Sequence, residues 1–303
     1  MTTAILFGYY GFGNTGDEQL LDTSIRIIKE LPISINYVVA NGPRSTPFPS
    51  FNRWNIFHWA MHLNQSSYLI FGGGSVFQSG TSCRSLMFYL FIVLLARLFG
   101  CKVILLCHGW GPFRSQWHQS IARIILKDAY RSWRLRMDDP QFDQDATFCD
   151  LTLTEPIDNC KKPQLNCIGV ALRHAFDEKR LQEKLAISEP IISIDNDDHP
   201  KNKGVYLADI WDANSTSVSI LITDRFHSAV WAIRHSIFWV GVSGDPKLIA
   251  LAASFGQPCY SSMEQFLNST HKFEFTQDRT YDIDACIAQR SLIKDWLYAA
   301  LSA

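Results

Sequence analysis

Features that define several protein classes are missing from this sequence of 303 residues. No apolar run reaches the roughly 20 residues that a membrane-spanning helix needs. The longest run, 86–99, is interrupted by Arg97, and we interpret it as a buried helix. The start of the chain has neither a basic region nor a small-residue cleavage site, so we expect no signal peptide. These absences favour a cytoplasmic protein, and the 86–99 segment leaves open the alternative of peripheral contact with the inner face of the membrane.

The sequence also lacks a charge excess and paired cysteine motifs. Its 28 Lys and Arg residues against 29 Asp and Glu residues give a formal net charge of −1, which argues against nucleic acid as a partner. Its eight cysteines form no Cys-x-x-Cys pair, so we expect them to be reduced and packed as small apolar groups. A hydrophobic content of 47% predicts a sizeable core, and the length is typical of two domains.

Short apolar segments alternate with longer helical patterns along both halves of the chain. Predicted strands lie at 4–7, 35–39, 68–71, 103–107, 132–135, 167–172, 190–194, 219–222 and 237–242. Predicted helices lie at 18–31, 86–99, 116–129, 204–212, 225–234 and 247–255. Strands separated by helices of this length predict parallel βαβ units. Burial of both sheet faces explains why the strands are continuously apolar.

The segment 138–164 is irregular and rich in Asp, Pro and Asn, and we place the domain junction in it. The predicted organisation is α/β, with an N-terminal Rossmann-like domain at 1–160, a C-terminal one at 161–284 and a long amphipathic helix at 285–303. Two such domains with parallel sheets are expected to face each other across a cleft. Ligands then bind at the carboxyl ends of the strands.

Glycine-rich loops follow three predicted strands of the first half. The loop at 8–18 opens a helix, whose N-terminus attracts anions, but it matches neither Gly-x-Gly-x-x-Gly nor a Walker loop. Tight packing is the alternative explanation. The glycines at 72–74 are hard to explain by packing alone, because each adds unfolded-state entropy. With the turn at 108–112, these loops predict a substrate-binding rim made of Gly11, Asn14, Gly16, Gly73, Gly74, Ser75, Gln78 and His108.

Two predicted helices of the second half begin with a cation. The first has Thr223 or Asp224 as its predicted N-cap, which places Arg225 and His227 in or near the first turn.

The same pattern recurs at Lys247, with Asp245 as the predicted N-cap and Pro246 at the first helical position. A cation at a helix N-terminus opposes the macrodipole by about 0.3 kcal/mol or more. A bound anion reverses this, because the helix N-terminus and the cation then attract it together. A solvated lysine and a core histidine are the alternatives, but the pair favours a site for a phosphate-bearing anion.

These motifs, in this order, resemble the polysaccharide pyruvyl transferase family over most of the chain. The resemblance is carried by Gly-Tyr-Tyr-Gly-Phe-Gly-Asn-Thr-Gly-Asp-Glu at 8–18, the glycines at 72–74, the turn at 108–112, Thr-Asp-Arg-Phe-His-Ser at 223–228 and Asp-Pro-Lys at 245–247. It implies a two-Rossmann arrangement of the GT-B type. It also implies transfer of the enolpyruvyl group of phosphoenolpyruvate to a sugar of a cell-surface glycan or exopolysaccharide, giving a pyruvate ketal.

The resemblance further implies that His227 and Lys247 contact phosphoenolpyruvate. Its carboxylate and phosphate require more cations, which we assign to Arg136 and Arg225. His227 is the expected general acid. We expect no metal and no cofactor, with phosphoenolpyruvate as a co-substrate.

On the acceptor side, Asp17 or Glu18 is expected to orient or deprotonate a sugar hydroxyl of a lipid-linked or polymeric glycan. The family's Arg-Asp/Glu-x-x-Ser motif has no full counterpart, because the nearest text, 135–139, lacks the serine. Arg136 is the best candidate for the family arginine, and Arg134 competes with it. An altered acceptor or reduced activity is compatible with this departure.

Two further clusters have metal-ligand spacing. His58 and His62 lie among aromatic residues and are better explained as part of a packed helix. The acidic segment 195–199 is better explained as a solvated turn. The rival functions are a nucleotide-sugar glycosyltransferase of the GT-B type and an inactive glycan-binding homologue. The sequence makes no prediction of oligomeric state.

Overall fold

The computed structural model describes residues 3–40, 48–135, 142–155, 157, 167–174, 176, 178–185, 189–196, 204–213, 217–269 and 281–302. The chain divides into two compact units. Unit 1 consists of Met1–Glu155 and Cys286–Ala303, and unit 2 of Pro156–Ala285. Each unit contains a six-stranded sheet in which every described pairing is parallel. The predicted α/β class with two parallel sheets is confirmed.

Unit 1 has the strand order β2-β1-β3-β4-β5-β6. Its strands are β1 Thr3–Phe7, β2 Ser34–Val39, β3 Tyr68–Phe71, β4 Lys102–His108, β5 Tyr130–Trp133 and β6 Ala146–Thr147. The helices between them are α1 Thr15–Lys29, α2 Ile56–Leu63, α3 Cys83–Leu98 and α4 Gln116–Leu126, followed by a 3-10 turn at Leu151–Thr154. This order places the carboxyl ends of β1, β3, β4 and β5 along one edge.

Unit 2 has the strand order β12-β11-β10-β7-β8-β9. Its strands are β7 Cys167–Ala171, β8 Ile191–Asp195, β9 Val205–Tyr206, β10 Val218–Thr223, β11 Phe238–Val242 and β12 Cys259–Tyr260. Its helices are α5 Glu178–Leu185, α6 Leu207–Ile210, α7 Phe226–Arg234, α8 Pro246–Ser254 and α9 Met263–Asn268. The chain ends with α10, Ile283–Ser302.

One predicted helix is partly wrong. The helix expected at 204–212 is reduced to α6, because Val205 and Tyr206 pair instead with the end of β8. Helices α5 and α9 were not predicted. Their sequences are short and mostly polar or mixed, so tertiary packing rather than periodicity determines them.

Alternate residues of the strands in unit 1 enter two separate cores. Phe7, Phe71 and Leu105 face one core, which α2, α3 and α4 cover. Leu6 and Ile70 face the other, which α1 and α10 cover. Successive strand residues point to opposite faces, so burial of both faces requires the continuous apolar runs seen in the sequence.

Helix α10 completes the core of unit 1. Leu297 is fully buried in the core that α1 also covers. On the surface of this helix, Arg290 pairs with Glu155 and Glu30 at 2.5 Å, and Lys294 pairs with Glu30 at 2.6 Å. Hydrogen bonds from Lys294 and Arg290 lower the pKa of Glu30. The last helix is therefore joined to the unit that contains the first strand. Among the described residues, no helix is long and apolar enough to cross a membrane.

We expect Leu297→Ala to lower the free energy of unfolding by about 2–5 kcal/mol, because it leaves a cavity in this core. The matched control is Leu292→Ala on the same helix, where the side chain is 56% exposed; its effect should stay within about 0.5 kcal/mol. Urea denaturation followed by circular dichroism measures both. Equal losses in the two variants would show that α10 does not pack as described.

Candidate functional site

The loop between β1 and α1 is held by the first turn of the helix. Asn14 is the N-cap, and its side chain accepts a hydrogen bond from the Asp17 N–H at 3.3 Å. Glu18 is buried, and its Oε1 accepts from the Gly11 N–H at 2.6 Å. The φ angles of Gly11 and Gly13, 84° and 76°, lie in the left-handed region that favours glycine. Glu18 therefore positions the loop, and Asp17 is the better placed of the two candidate carboxylates.

The same loop exposes an aromatic pair that the sequence did not single out. Tyr9 and Phe12 stack with ring centroids 4.2 Å apart and an interplanar angle of 11°, and both rings are more than 40% exposed. Exposed aromatic rings next to polar groups are typical of ligand-binding surfaces. The alternation of Tyr9-Tyr10 and Phe12 with glycine was a signal that could have revealed them.

A buried arginine packs against Phe12 of this aromatic pair. Arg53 lies 5.8 Å from the ring centroid of Phe12, and its Nη2 donates to the Tyr89 hydroxyl at 2.7 Å. Burial raises the pKa of Tyr89 to about 12, so the phenol stays protonated and donates to the Gly8 carbonyl at 3.4 Å. Among the described residues no carboxylate pairs with Arg53, and aromatic rings surround it instead. Arg53 thus positions the loop after β1.

Packing explains two glycines of the loop after β3. A Cβ atom at Gly72 would lie 2.3 Å from the Tyr10 hydroxyl oxygen, and one at Gly73 would lie 2.5 Å from Leu20 Cδ2. The expectation that packing alone would not require these glycines is therefore wrong for both. Gly74 differs, because its φ is +123° and a Cβ there would lie 3.6 Å from Asp17 Oδ1 without a clash. Gly74 and Asp17 are thus neighbours, while Gly16 lies buried inside α1.

A buried ion pair connects the segments that follow β3, β5 and β6. Arg134 follows β5 directly, and its Nη1 donates to Asp150 Oδ2 at 2.9 Å, with side chains 4% and 1% exposed. Its Nη2 donates to the Ser75 hydroxyl at 3.0 Å. The other Asp150 oxygen accepts from the N–H and hydroxyl of Thr152. Ser75 is a predicted substrate contact. It is therefore held by Arg134, the second candidate for the arginine of the family motif. Arg136, the first choice for that position, lies outside the described residues.

His108 and Gln78 are both bonded within the rim. The His108 ring is buried, with Nδ1 2.9 Å from the Gly109 carbonyl oxygen and Nε2 3.5 Å from the Val76 nitrogen. This pattern fits the neutral tautomer that carries its proton on Nδ1. Both polar atoms of Gln78 bond to Thr81. Both side chains therefore position the loops of this rim.

In unit 2, the start of α7 differs from the prediction. The N-cap is Arg225, with no side-chain cap, and neither Thr223 nor Asp224 takes that role. The Thr223 hydroxyl donates to the Ala171 carbonyl at 2.8 Å and accepts from the Arg225 N–H at 2.9 Å. The hydroxyl therefore joins β7 to the chain before the helix. His227 becomes the second residue of α7 and is half-buried.

The start of α8 agrees with the prediction. Asp245 is the N-cap, its Oδ1 accepts from the Lys247 N–H at 3.0 Å, and Pro246 is the first helical residue. Lys247 is therefore the second residue of α8, as His227 is of α7. Strands β10 and β11 are adjacent and parallel, so these two helices start side by side at the same sheet edge.

Arg173 is a cation at this edge that the sequence analysis missed. It follows β7, the neighbour of β10, and its backbone N–H donates to Asp224 Oδ1 at 3.0 Å. Its guanidinium lies 3.9 Å from Asp245 Oδ2 and is half-exposed. Burial raises the pKa of Asp224, and Arg173, Arg225 and His174 oppose that rise. The signal was available, because Arg173 follows a predicted strand just as Thr223 does.

The weaker clusters behave as packing groups. His62 lies 3.9 Å from the Tyr37 ring, measured between ring centroids, and burial lowers its pKa. The interpretation of His58 and His62 as part of a packed helix is confirmed. Of the acidic segment, Asn196 accepts from the Ser228 hydroxyl at 2.6 Å, and 197–199 lie outside the described residues. Within the described part of the chain, no three His, Cys, Asp or Glu residues are grouped to hold a metal ion.

Solved structures identify the class of fold. The chain is similar to UDP-GlcNAc 2-epimerase from Methanocaldococcus jannaschii, in complex with UDP-GlcNAc and UDP, with a TM-score of 0.59 and 11% identity over 98% of this chain and 100% of that chain. It is also similar to the enzyme of the same name from Neisseria meningitidis, bound to UDP-GlcNAc. That comparison has a TM-score of 0.59 and 8% identity, over 99% of this chain and 100% of that chain. For the wall teichoic acid polymerase TagF the TM-score is 0.50 and the identity 10%, over 99% of this chain and 89% of that chain. The chain therefore has an α/β fold of the GT-B type, as predicted.

The family resemblance is confirmed for part of the chain. Residues 14–134 match the model of the family described as polysaccharide pyruvyl transferase. The match begins at the N-cap of α1, includes the loops after β3 and β4, and ends at Arg134. No curated protein sequence matches the chain.

We expect Asp150→Asn to lower the free energy of unfolding by about 3 kcal/mol or more, because it leaves the buried Arg134 without its countercharge. The control, Asp128→Asn, breaks an exposed pair with Arg97 and should cost less than about 1 kcal/mol. The double variant Arg134→Met/Asp150→Asn should lose less free energy of unfolding than the Arg134→Met and Asp150→Asn variants lose in sum. Strict additivity in urea denaturation would contradict the coupling of these two residues.

Proposed function

We propose that the protein transfers the pyruvyl group of phosphoenolpyruvate to two hydroxyls of a sugar in a cell-surface glycan or exopolysaccharide, forming a pyruvate ketal. The observation that carries this proposal is the shared position of His227 and Lys247. Each is the second residue of a helix that starts at the carboxyl edge of the sheet in unit 2. The match of residues 14–134 to the pyruvyl transferase family supports the reaction class.

The donor site of this proposal is the carboxyl edge of unit 2. Phosphoenolpyruvate carries a carboxylate and a phosphate, and this edge offers Lys247, Arg225 and Arg173 beside two helix N-termini. Helix N-termini and cations act together on such anions. Arginine suits a planar carboxylate, because its guanidinium can donate two parallel hydrogen bonds. The edge thus offers positive groups for both the carboxylate and the phosphate of the donor.

His227 is the proposed general acid. A bound phosphate dianion next to the ring favours its protonated form. The imidazolium then gives a proton to the methylene carbon of phosphoenolpyruvate, which becomes a methyl group. One sugar hydroxyl bonds to the central carbon and loses its proton, the bond from that carbon to the phosphate oxygen breaks, and inorganic phosphate leaves. The second hydroxyl forms the second carbon–oxygen bond and closes the ketal, and its proton passes to the released phosphate.

The acceptor side of the proposal is the rim of unit 1. Tyr9 and Phe12 offer exposed ring faces to a sugar, and Asp17 lies next to Gly74 at the same edge. Asp17 is the proposed group that orients or accepts the proton of a sugar hydroxyl. The buried ion pair of Arg134 and Asp150 keeps Ser75 in place beside it. A lipid-linked or polymeric glycan is the proposed acceptor.

We expect His227→Ala to lower transfer by about 10²–10⁴-fold while phosphoenolpyruvate still binds, because the acid is lost but the cations remain. Lys247→Ala should instead weaken phosphoenolpyruvate binding by about tenfold or more, the loss expected for a charge-assisted hydrogen bond. The control Lys179→Ala, on exposed α5 of the same unit, should change neither. Isothermal titration calorimetry and phosphate release measure the two effects.

The same titration separates the proposal from a nucleotide-sugar glycosyltransferase. Uridine diphosphate and guanosine diphosphate are titrated beside phosphoenolpyruvate. Full transfer by the His227→Ala protein would refute the assignment of the acid. Binding of a nucleoside diphosphate without binding of phosphoenolpyruvate would refute the donor.

We expect Tyr9→Ala and Phe12→Ala each to raise the KM for the glycan acceptor by about tenfold, which corresponds to about 1.4 kcal/mol of aromatic contact. Binding of phosphoenolpyruvate should not change. Tyr298→Ala, which removes an exposed tyrosine from α10, is the matched control. An unchanged acceptor KM across a panel of glycans with two neighbouring free hydroxyls would exclude this surface as the acceptor site.

A further inference from the structure

Unit 1 contains a long segment without a single carboxylate side chain. Between Glu30 and Asp128 lie 97 residues that hold eight of the chain's 28 Lys and Arg residues and none of its 29 Asp and Glu residues. The near-neutral charge of the whole chain conceals this asymmetry. The segment includes all of α2, α3 and α4, the three helices that cover one face of the sheet. Every Asp, Glu, Lys or Arg position in that helical layer is therefore a Lys or an Arg.

The outer side of this layer is apolar as well, so the interpretation of 86–99 as a buried helix is wrong for one side of α3. On α3, the exposed side chains Met87, Phe91, Leu94 and Leu98 recur at intervals of four, three and four residues and form a stripe along the helix. Leu98 is 79% exposed. The opposite side of α3 packs into the core, so the stripe points away from the sheet.

The helices on either side of α3 extend this surface. Phe57 of α2 is 81% exposed, and Trp54, just before α2, contacts Phe88 of α3 with ring centroids 4.6 Å apart. On α4, Trp117 and Ile124 are 60% and 66% exposed. All three helices pack on the same sheet face, so these side chains share one outer layer. Soluble proteins rarely expose contiguous apolar surface of this kind without a partner.

Basic side chains border the apolar stripe. Arg84 lies in the first turn of α3 and Arg97 in its last, and Arg123 and Lys127 lie in and after α4. The nearest carboxylate in sequence, Asp128, lies 3.8 Å from Arg97 and is 65% exposed. Long basic side chains can extend their charged ends past an apolar surface into a polar layer.

We propose that the outer layer of α2, α3 and α4 docks onto an anionic phospholipid bilayer. Apolar side chains with flanking cations match the interfacial region of such a bilayer, where acyl chains lie below negative headgroups. A second copy of the chain is a poor occupant, because pairing the layer with itself would bring like charges together. This inference is independent of the proposed transfer reaction, and it places the protein where lipid-linked glycans are found.

Vesicle flotation tests this proposal with the full chain. Vesicles of phosphatidylcholine alone are compared with vesicles containing 30% phosphatidylglycerol (about one charge in three lipids). We expect binding to the anionic vesicles to be at least tenfold tighter than to the neutral ones and to weaken in 0.5 M salt (about a 4 Å Debye length). Phe91→Gln/Leu94→Gln/Leu98→Gln should reduce binding at least tenfold. Arg84→Gln/Arg123→Gln/Lys127→Gln should remove most of the preference for anionic lipid.

The matched control is Ile249→Gln/Leu292→Gln/Tyr298→Gln, which replaces three side chains of similar exposure on α8 and α10. It should bind as the unaltered chain does. Equal binding by the stripe variant, or no binding to anionic vesicles, would overturn the proposal. So would a dimer, seen by light scattering, that dissociates in the stripe variant. The vesicles contain no glycan, and phosphoenolpyruvate binding is titrated separately in the stripe variant, so failure of the proposed reaction remains distinguishable.

Discussion

Burial of both faces of each parallel sheet is the constraint from which the placement of the polar groups follows. Parallel strands need a crossover after each one, so helices cover both faces and the strands become apolar throughout. Polar chemistry is then confined to the strand ends. In unit 1 this gathers the loops after β1, β3, β4 and β5 at one edge, and in unit 2 it gathers those after β7, β10 and β11.

The two edges are stabilised in different ways. In unit 1 a central set of polar groups, Arg134, Asp150 and Ser75, is bonded together, and the ion pair within it is buried. Removing water from a charge is costly, so such a network persists only when its members are satisfied. In unit 2 the corresponding edge carries Arg173, His227 and Lys247, which are half-buried or exposed. The first edge is therefore a rigid scaffold, and the second leaves charges accessible to an anion.

The periodicity of the sequence predicted nine of the twelve described strands, because burial on both faces leaves a continuous apolar run. It missed β6, β9 and β12, which have two residues each and are too short to leave one. It located β3 to the residue, and it predicted the Asp245 cap, whose Asp-Pro signal is local. It failed where a contact from another strand sets the backbone before a helix. Thr223 was a predicted N-cap of α7, but its hydroxyl donates to the Ala171 carbonyl and accepts from the Arg225 N–H, and the helix starts only at Phe226.

The site was less predictable than the fold, because local sequence patterns do not show which side chains at different strand ends contact one another. Gly72 follows a pattern that suggests a ligand, yet the reason for it is the Tyr10 hydroxyl, which lies on another loop. Arg173 was missed although it directly follows a predicted strand, as Thr223 does. The resemblance at 14–18 and 72–74 lies within the family match, whereas residues 8–13 precede it and the roles of His227 and Lys247 remain proposals.

The return of α10 to unit 1 has a consequence for synthesis on the ribosome. The core that holds Leu6 and Ile70 also needs Ile293 and Leu297, which are more than 200 residues further along the chain. That face of the first sheet lacks its α10 cover until residues 286–302 have emerged, by which time all of unit 2 has been made. Unit 2 can therefore complete its core before the unit that begins first, and the part of the sheet face that α10 covers stays exposed in the nascent chain for most of its translation.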